Sequence, residues 1–292
     1  MELPDLKKIT IDKIHASFLQ NKSIQFDVIR LDKIHPVISG NKWFKLKYHL
    51  DNFNAGSYKG IITFGGAWSN HIVATACCCY LKKIKCTGII RGKKPQQFSA
   101  TLLEAANYEM NLKFISRDWY AQKKSDKFLD TIRNEFPGHY IIPEGGAGKE
   151  GEKGAGDILQ YADGKNYTHI VCAVGTGTMF NGIMQAVPSN QNILGIVVLK
   201  GWKEDNAIDN AGLFLDYHFG GYAKYDKVLI DFMNEFFSLT NIPTDFVYTG
   251  KLAFALFDLI KKDHFPPGSK ILMIHSGGLQ GNASLQKGSL IF

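Results

Sequence analysis

Ser39-Gly40-Asn41-Lys42-Trp43-Phe44-Lys45-Leu46 reads as a glycine turn opening a helix that carries two lysines. Lys42 and Lys45 are three residues apart, close to one helical turn, so their ammonium groups project from one face. Like charges held that close repel unless an anion lies beside them. The pair suits a small molecule carrying both an aldehyde and a phosphate, Lys42 condensing with the aldehyde and Lys45 meeting the phosphate. A solvated basic helix start, continued by Lys47, is the plainer reading of these residues alone. What separates the two readings lies on either side.

Upstream, residues 1–35 alternate apolar and polar in short runs such as Ile24-Gln25-Phe26-Asp27-Val28-Ile29-Arg30. This is a strand pattern, expected as a hairpin at the edge of a domain. His35-Pro36 ends it and leads into the lysine helix, expected over residues 43–53. Downstream, Ile61-Ile62-Thr63-Phe64 is a buried strand followed by Gly65-Gly66-Ala67-Trp68-Ser69-Asn70-His71 and a helix to about residue 82. Strand, glycine turn, polar pair and helix make a βα unit whose turn faces a ligand. Ser69 and Asn70 sit where backbone N–H groups lack partners, so they hold a carboxylate or a ring oxygen, or simply cap the helix. Two further βα units follow, with strands near 86–90 and 111–116 and helices near 99–108 and 124–135, then a strand at 139–143.

The glycine-dense crossing from Glu144 to Gly156 is expected as a hinge or lid, or as a plain connector, with a helix starting near Asp157. A strand over 169–174 then runs into Gly175-Thr176-Gly177-Thr178 and a helix. Glycines and threonines at a helix start present N–H groups and hydroxyls to an anion. The next strand, 193–199, ends in Lys200-Gly201 and supplies no acidic residue for a ribose. The loop therefore reads as a cup for a monophosphate rather than a dinucleotide. A structural turn is the alternative. The last buried strand, Lys270-Ile271-Leu272-Met273-Ile274-His275, delivers Ser276-Gly277-Gly278.

The 292 residues are 45% hydrophobic and 21% charged, ordinary for a globular chain, and long enough for two lobes sharing a cleft. Thirty-four basic residues against 27 acidic ones give +7, spread in short groups without interleaved aromatics, so no nucleic-acid partner is expected. No apolar run approaches the roughly 20 residues of a membrane span, the N-terminus does not read as a signal peptide, and a cytoplasmic location is expected. Cys77, Cys78 and Cys79 point in three directions on one helix, and Cys86 and Cys172 have no partner at ligand spacing. The cysteines are expected as small buried residues with no metal.

Taken in order, the Gly40-Asn41-Lys42 turn with Lys45, Gly65-Gly66 through Ser69-Asn70, Thr176-Gly177-Thr178, Tyr248-Thr249-Gly250-Lys251 and His275-Ser276-Gly277-Gly278 resemble the D-cysteine desulfhydrase and 1-aminocyclopropane-1-carboxylate deaminase family. These are pyridoxal-phosphate enzymes of the tryptophan-synthase-β fold type. The resemblance implies an α/β fold of two open twisted, mostly parallel sheets flanked by helices, with pyridoxal 5'-phosphate in the cleft between two lobes. Residues 1–52 with 146–292 would form the large cofactor-binding lobe and 53–145 the small one. It implies the covalent bond to the cofactor at Lys42, cofactor contacts at Lys45, Asn70, Gly175, Thr176, Gly177, Thr178 and Ser276, and substrate contacts at Ser69, Asn70, His71, Tyr222 and Tyr248. Catalytic roles fall on Lys42, Ser69 and Tyr248.

Ser276 falls where a side chain meets the pyridine nitrogen. A hydroxyl does not keep that nitrogen protonated as a carboxylate would, which weakens the electron sink and suits β-elimination. The family's deaminases carry Glu after the tyrosine and Leu before the paired glycines, its desulfhydrases Thr at both. Thr249 and Ser276 stand at those places here. The implied activity is elimination of D-cysteine, or a related β-substituted amino acid, to pyruvate, ammonia and sulfide, by a homodimer. The alternatives are ring-opening deamination, or a cofactor-binding homologue without turnover. The last is motivated by a chain shorter than is usual for the family, trimmed across 92–130, with Arg91-Gly92-Lys93-Lys94 unlike the family's loop.

Overall fold

The computed structural model describes residues 2–162, 166–202 and 211–292. Strands β1 (Ile11–Ile14) and β2 (Gln25–Arg30) pair antiparallel, with the short helix α1 (Ser17–Asn21) inside the expected hairpin's connection. Helix α2 (Asn41–Ala55) follows the glycine turn. Next come β3 (Ile61–Gly65), α3 (Asn70–Leu81), β4 (Cys86–Arg91), α4 (Ala100–Asn107), β5 (Asn111–Ile115), α5 (Arg117–Ala121), α6 (Asp126–Glu135) and β6 (Tyr140–Ile142). These strands form a four-stranded parallel sheet in the order β5-β4-β3-β6.

The chain continues through α7 (Lys149–Gly156), β7 (His169–Val174), α8 (Thr178–Ala186), β8 (Asn192–Val197), β9 (Ala211–Phe214), α9 (Lys227–Thr240), α10 (Thr249–Lys261) and β10 (Lys270–His275). The second sheet has six strands in the order β1-β2-β10-β7-β8-β9, parallel throughout except for β1. The inner strands are apolar runs because helices cover both faces of a parallel sheet. Ile170, Val171 and Cys172 of β7 are fully buried, as are Ile271 to Ile274 of β10. The architecture is the expected one: α/β, with two open, mostly parallel sheets flanked by helices.

Helix α2 packs on both sheets' cores. Phe44 enters the cluster of Ile170, Cys172 and Ile274, whereas Leu46 and Leu50 enter that of Ile61, Ile72 and Ile90. We propose the same division for the folded chain, 53–145 apart from the remainder, with α2 packed on both units.

The glycine-dense crossing departs from expectation. It folds as α7, followed by a 3-10 turn at Asp157–Tyr161 where a longer helix was expected. A Cβ on Gly154 would sit 1.8 Å from the Phe44 carbonyl oxygen, and one on Gly182 of α8 would sit 2.1 Å from the Glu152 carbonyl oxygen. Glycine propensity alone disfavours a helix by about 1 kcal/mol per residue. Here its missing side chains let α7 press its backbone against α2 and α8. The segment is a packed spacer behind the lysine helix.

Candidate active site

The C-terminal ends of β3, β4, β7 and β10 open on one cavity of about 640 Å³, within the ~300–1,000 Å³ typical of small-molecule sites. Lys42, Lys45, Ser69, Asn70, His71, Gly175, Thr176, Gly177, Tyr222, Tyr248 and Ser276 all line it. Thr178 stands behind, its hydroxyl 3.1 Å from that of Thr176.

Backbone contact fixes the lysine turn. Gly40 has φ +62° and ψ −140°, and a Cβ there would lie 1.9 Å from the Ser276 carbonyl oxygen. The Asn41 N–H donates to that same oxygen at 3.1 Å. The start of α2 and the end of β10 are therefore locked together, which puts Lys42 and Ser276 on the same cavity. Beneath Ser276, the buried His275 bonds the Pro243 carbonyl at 2.8 Å and lies 3.1 Å from Asp32, itself paired with Arg30 at 2.6 Å. Burial opposes the Asp32 charge, yet His275 and Arg30 hold its carboxyl well below the usual range.

Lys42 donates to Asn41 Oδ1 at 2.6 Å, and its Nζ lies 6.0 Å from the centre of the Tyr248 ring. Burial pushes its pKa down to about 8, partly offset by the charge of Asp245. Lys45, 6% exposed, is pushed to about 7 by burial and then by Lys42. Among the described residues no carboxylate lies within ion-pair distance of either ammonium. Two desolvated amines without a counter-charge are costly in a folded chain unless an anion binds between them. Opposite stand the Thr176 hydroxyl and the N-terminus of α8, which opens on Gly177 in the left-handed conformation. Asn70 Oδ1 and His71 Nδ1 are buried acceptors with no partner among the described residues. This donor and acceptor set fits an aromatic aldehyde bearing a phosphate and a ring hydroxyl.

The lysines give a pH dependence to the cofactor-free chain. Their folded values lie below the ordinary 10.5, so from about 7 upward the unfolded chain binds more protons than the folded one. Their contribution to stability should therefore rise with pH, by about 1.4 kcal/mol per unit for each lysine that is neutral when folded and charged when unfolded. Denaturant midpoints of the parent and of Lys45→Met between pH 7 and 8, below the range in which the buried thiols of Cys77, Cys78, Cys86 and Cys172 add a slope of opposite sign, test this, and equal slopes in the two proteins contradict it.

Ser69 caps α3, accepting from the Ile72 N–H at 3.3 Å, so the capping role is present in the same residue that faces the cavity. Thr63 donates to the Ile142 carbonyl, which leaves its oxygen to accept from His71 Nε2 at 2.7 Å. Burial, then Lys42 and Lys45, keep the His71 imidazole neutral by lowering its pKa well below the usual value. Tyr248 and Tyr222 meet edge to face at 6.3 Å. Burial, then the neighbouring Tyr222 and Asp245, raise the Tyr248 phenol well above 10, so it stays protonated. Lys251 anchors the loop that presents Tyr222, donating to His218 O at 2.8 Å and Gly221 O at 2.7 Å.

Three features escaped the sequence reading. Asp245, fully buried, accepts from the N–H groups of Val247, Tyr248 and Thr249 at 2.9 Å each and so places Tyr248. An Asp just ahead of an apolar helix is a capping signal that could have found it. Thr249 is fully buried with its hydroxyl 2.7 Å from Asp245, so it caps this loop and does not face the cavity. Arg91, Arg117 and Glu144 also line the cavity, and only the topology brings them there.

The family profile described as "Pyridoxal-phosphate dependent enzyme" matches residues 20–200. A Pyrococcus abyssi protein with a provisional 1-aminocyclopropane-1-carboxylate deaminase name is 27% identical over 270 residues, covering 84% of this chain and 81% of its own. An Arabidopsis thaliana protein named as a mitochondrial bifunctional D-cysteine desulfhydrase/1-aminocyclopropane-1-carboxylate deaminase is 28% identical over 285 residues, covering 84% of this chain and 70% of its own. The fold is shared with a crystal structure of an ACC deaminase homologue, at TM-score 0.79 and 22% identity over 96% of this chain and 93% of that one. No described helix is long and apolar enough to cross a membrane.

Proposed function

The chain belongs to the family of pyridoxal-phosphate dependent enzymes, and from that premise we propose that it is a lyase that eliminates the β-substituent of a small amino acid, D-cysteine being the first substrate to test. The observation carrying this reading is the uncompensated pair of half-buried Lys42 and buried Lys45, which shares one cavity with the Thr176 loop and Ser276. Lys42 is the residue for the covalent bond. Lys45, Thr176 and the α8 N-terminus hold the phosphate, with Thr178 bracing Thr176 from behind; Asn70 meets the ring hydroxyl, and Ser276 meets the ring nitrogen. When bound, the cofactor supplies an electron sink conjugated to the substrate's Cα.

The chain's own groups do the rest. Ser69, Asn70 and the first N–H groups of α3 bind the substrate carboxylate, and the neutral His71 braces that wall. Lys42, with its pKa lowered to about 8, is a base at Cα near neutral pH once freed from the cofactor. Tyr248, held protonated, is suited to donate a proton to the departing sulfur and unsuited to accept one. Tyr222 closes the substrate side. With water, D-cysteine then gives pyruvate, ammonia and hydrogen sulfide.

Purified protein with pyridoxal phosphate should release pyruvate and sulfide in equal amounts from D-cysteine. Two-oxobutyrate from 1-aminocyclopropane-1-carboxylate without sulfide from D-cysteine overturns this in favour of the deaminase. That second reading draws on the relatives' names and on Thr249, which is buried against Asp245 and so no longer argues for the desulfhydrase. A protein that binds the cofactor and turns over none of a panel of D- and L-amino acids would be a binding homologue. We also propose a homodimer as its working form.

A further inference from the structure

Arg91 and Arg117 reach the cavity from neighbouring strand ends, and nothing above uses them. Arg91 is the last residue of β4, Arg117 the first of α5, and the strands run side by side with Arg91 opposite Ile115. The Gly92 N–H bonds the Ile115 carbonyl at 2.8 Å, which fixes the two ends together. Arg91 Nη2 lies 3.6 Å from where a Cβ on Gly66 would stand, so its guanidinium covers the turn that presents Ser69 and Asn70.

Neither guanidinium has an ion pair or hydrogen bond with a described residue. Glu144, on the same wall, is already engaged: the Tyr120 hydroxyl donates to it at 2.7 Å and Lys123 pairs with it at 3.3 Å. Lys93 and Lys94 are exposed in the loop after Arg91 and extend the positive rim. The other anions of the site have their own partners, the phosphate at Lys45 and the α8 N-terminus, the substrate carboxylate at Ser69 and Asn70. A pair of guanidiniums beside a filled carboxylate site is equipped for one more anion, which they bind through planar, charge-assisted hydrogen bonds.

We propose that Arg91 and Arg117 form a second anion subsite, so that the preferred substrates are amino acids whose β-substituent is itself anionic, a sulfonate that leaves as sulfite or a phosphate ester that leaves as phosphate. This rests on the lyase reading of the cavity and narrows its substrate class. D-Cysteine then serves as a substrate lacking the group the arginines hold.

The test titrates the cofactor-loaded protein with D- and L-serine and with O-phospho-D- and O-phospho-L-serine, read by cofactor absorbance and by calorimetry. The parent should bind phosphoserine of one hand about ten- to a hundredfold more tightly than the matching serine. Arg91→Gln and Arg117→Gln should each reduce that ratio, and the double variant should bring it close to one. Added salt should erode the ratio in the parent and not in the double variant. A ratio near one in the parent overturns the proposal, as does a ratio that survives in the double variant. Should the double variant fold poorly, the single variants and the salt series decide by the same criteria. Equal affinities in a protein whose cofactor is bonded to Lys42 sink the subsite alone. A protein with no such bond sinks the lyase reading as well.

Discussion

Lys42→Ala is expected to lose covalent attachment of the cofactor and at least ~10²- to 10⁴-fold of turnover, the range associated with removing a positioned acid–base group, with the loss of covalent catalysis added to it. The cavity should survive. Lys45, Thr176 and the α8 N-terminus remain, so the variant should still bind pyridoxal phosphate reversibly, and dialysis should strip it where the parent retains it. Lys45→Ala should show the reverse pattern, with covalent attachment preserved at high cofactor concentration and affinity lowered. The contrast follows from placement: among the described residues neither amine has a carboxylate partner, but Lys45 is buried, whereas Lys42 is half-buried, faces Tyr248 and is steadied by Asn41 at 2.6 Å. Equal retention of cofactor by parent and Lys42→Ala would contradict the assignment.

Gly40→Ala should be among the most damaging single methyls at the described residues. An L-residue at φ +62°, ψ −140° is strained, at about 1–3 kcal/mol. Its Cβ would also fall 1.9 Å from the Ser276 carbonyl oxygen and 2.2 Å from its carbon. Both are backbone atoms at the end of a buried strand and cannot rotate away, so displacing them adds roughly another 1–3 kcal/mol. Together these approach the lower end of a domain's net stability of about 5–15 kcal/mol. Lys42 and Ser276 would separate as the contact opens, so cofactor affinity should fall with stability. Chemical denaturation and cofactor titration of the same preparation test the link. A variant with the parent's midpoint and affinity would show that the turn tolerates a side chain and does not set the site.

The strands and their turns were legible in the sequence because buried parallel strands have a chemistry of their own. Ile170 to Val174 is an uninterrupted apolar run and Ile61 to Phe64 one broken only by Thr63, each ending in glycine where the chain must turn over a ligand. The lysine turn by itself reads more plainly as a solvated basic helix start, and it became legible only through the glycine turns that follow β3, β7 and β10 in the sequence. Elements whose cause is tertiary were not legible. Helix α7 reads locally as a connector; it is helical because Gly154 and Gly182 admit the backbones of α2 and α7 at distances no side chain permits. Strand β9 and helix α5 are too short to carry a periodic signal.

Thr249, by its place after Tyr248, reads in the sequence as a mark of the desulfhydrases, but its side chain does not reach the cavity. One position along a helix start turns a side chain by about 100°, from the cavity into the core. Asp245 carries a capping signal ahead of an apolar helix, but that it receives three N–H groups and so places Tyr248 follows only from the fold of the turn.

The most direct test of the account is to reduce the cofactor-loaded protein with borohydride, digest it and map the modified peptide by mass spectrometry. A single pyridoxyl-phosphate addition on Lys42, lost when D-cysteine is supplied before reduction, is the expected result. Modification of Lys45 instead, or no stable addition in a protein that still binds the cofactor, would contradict it.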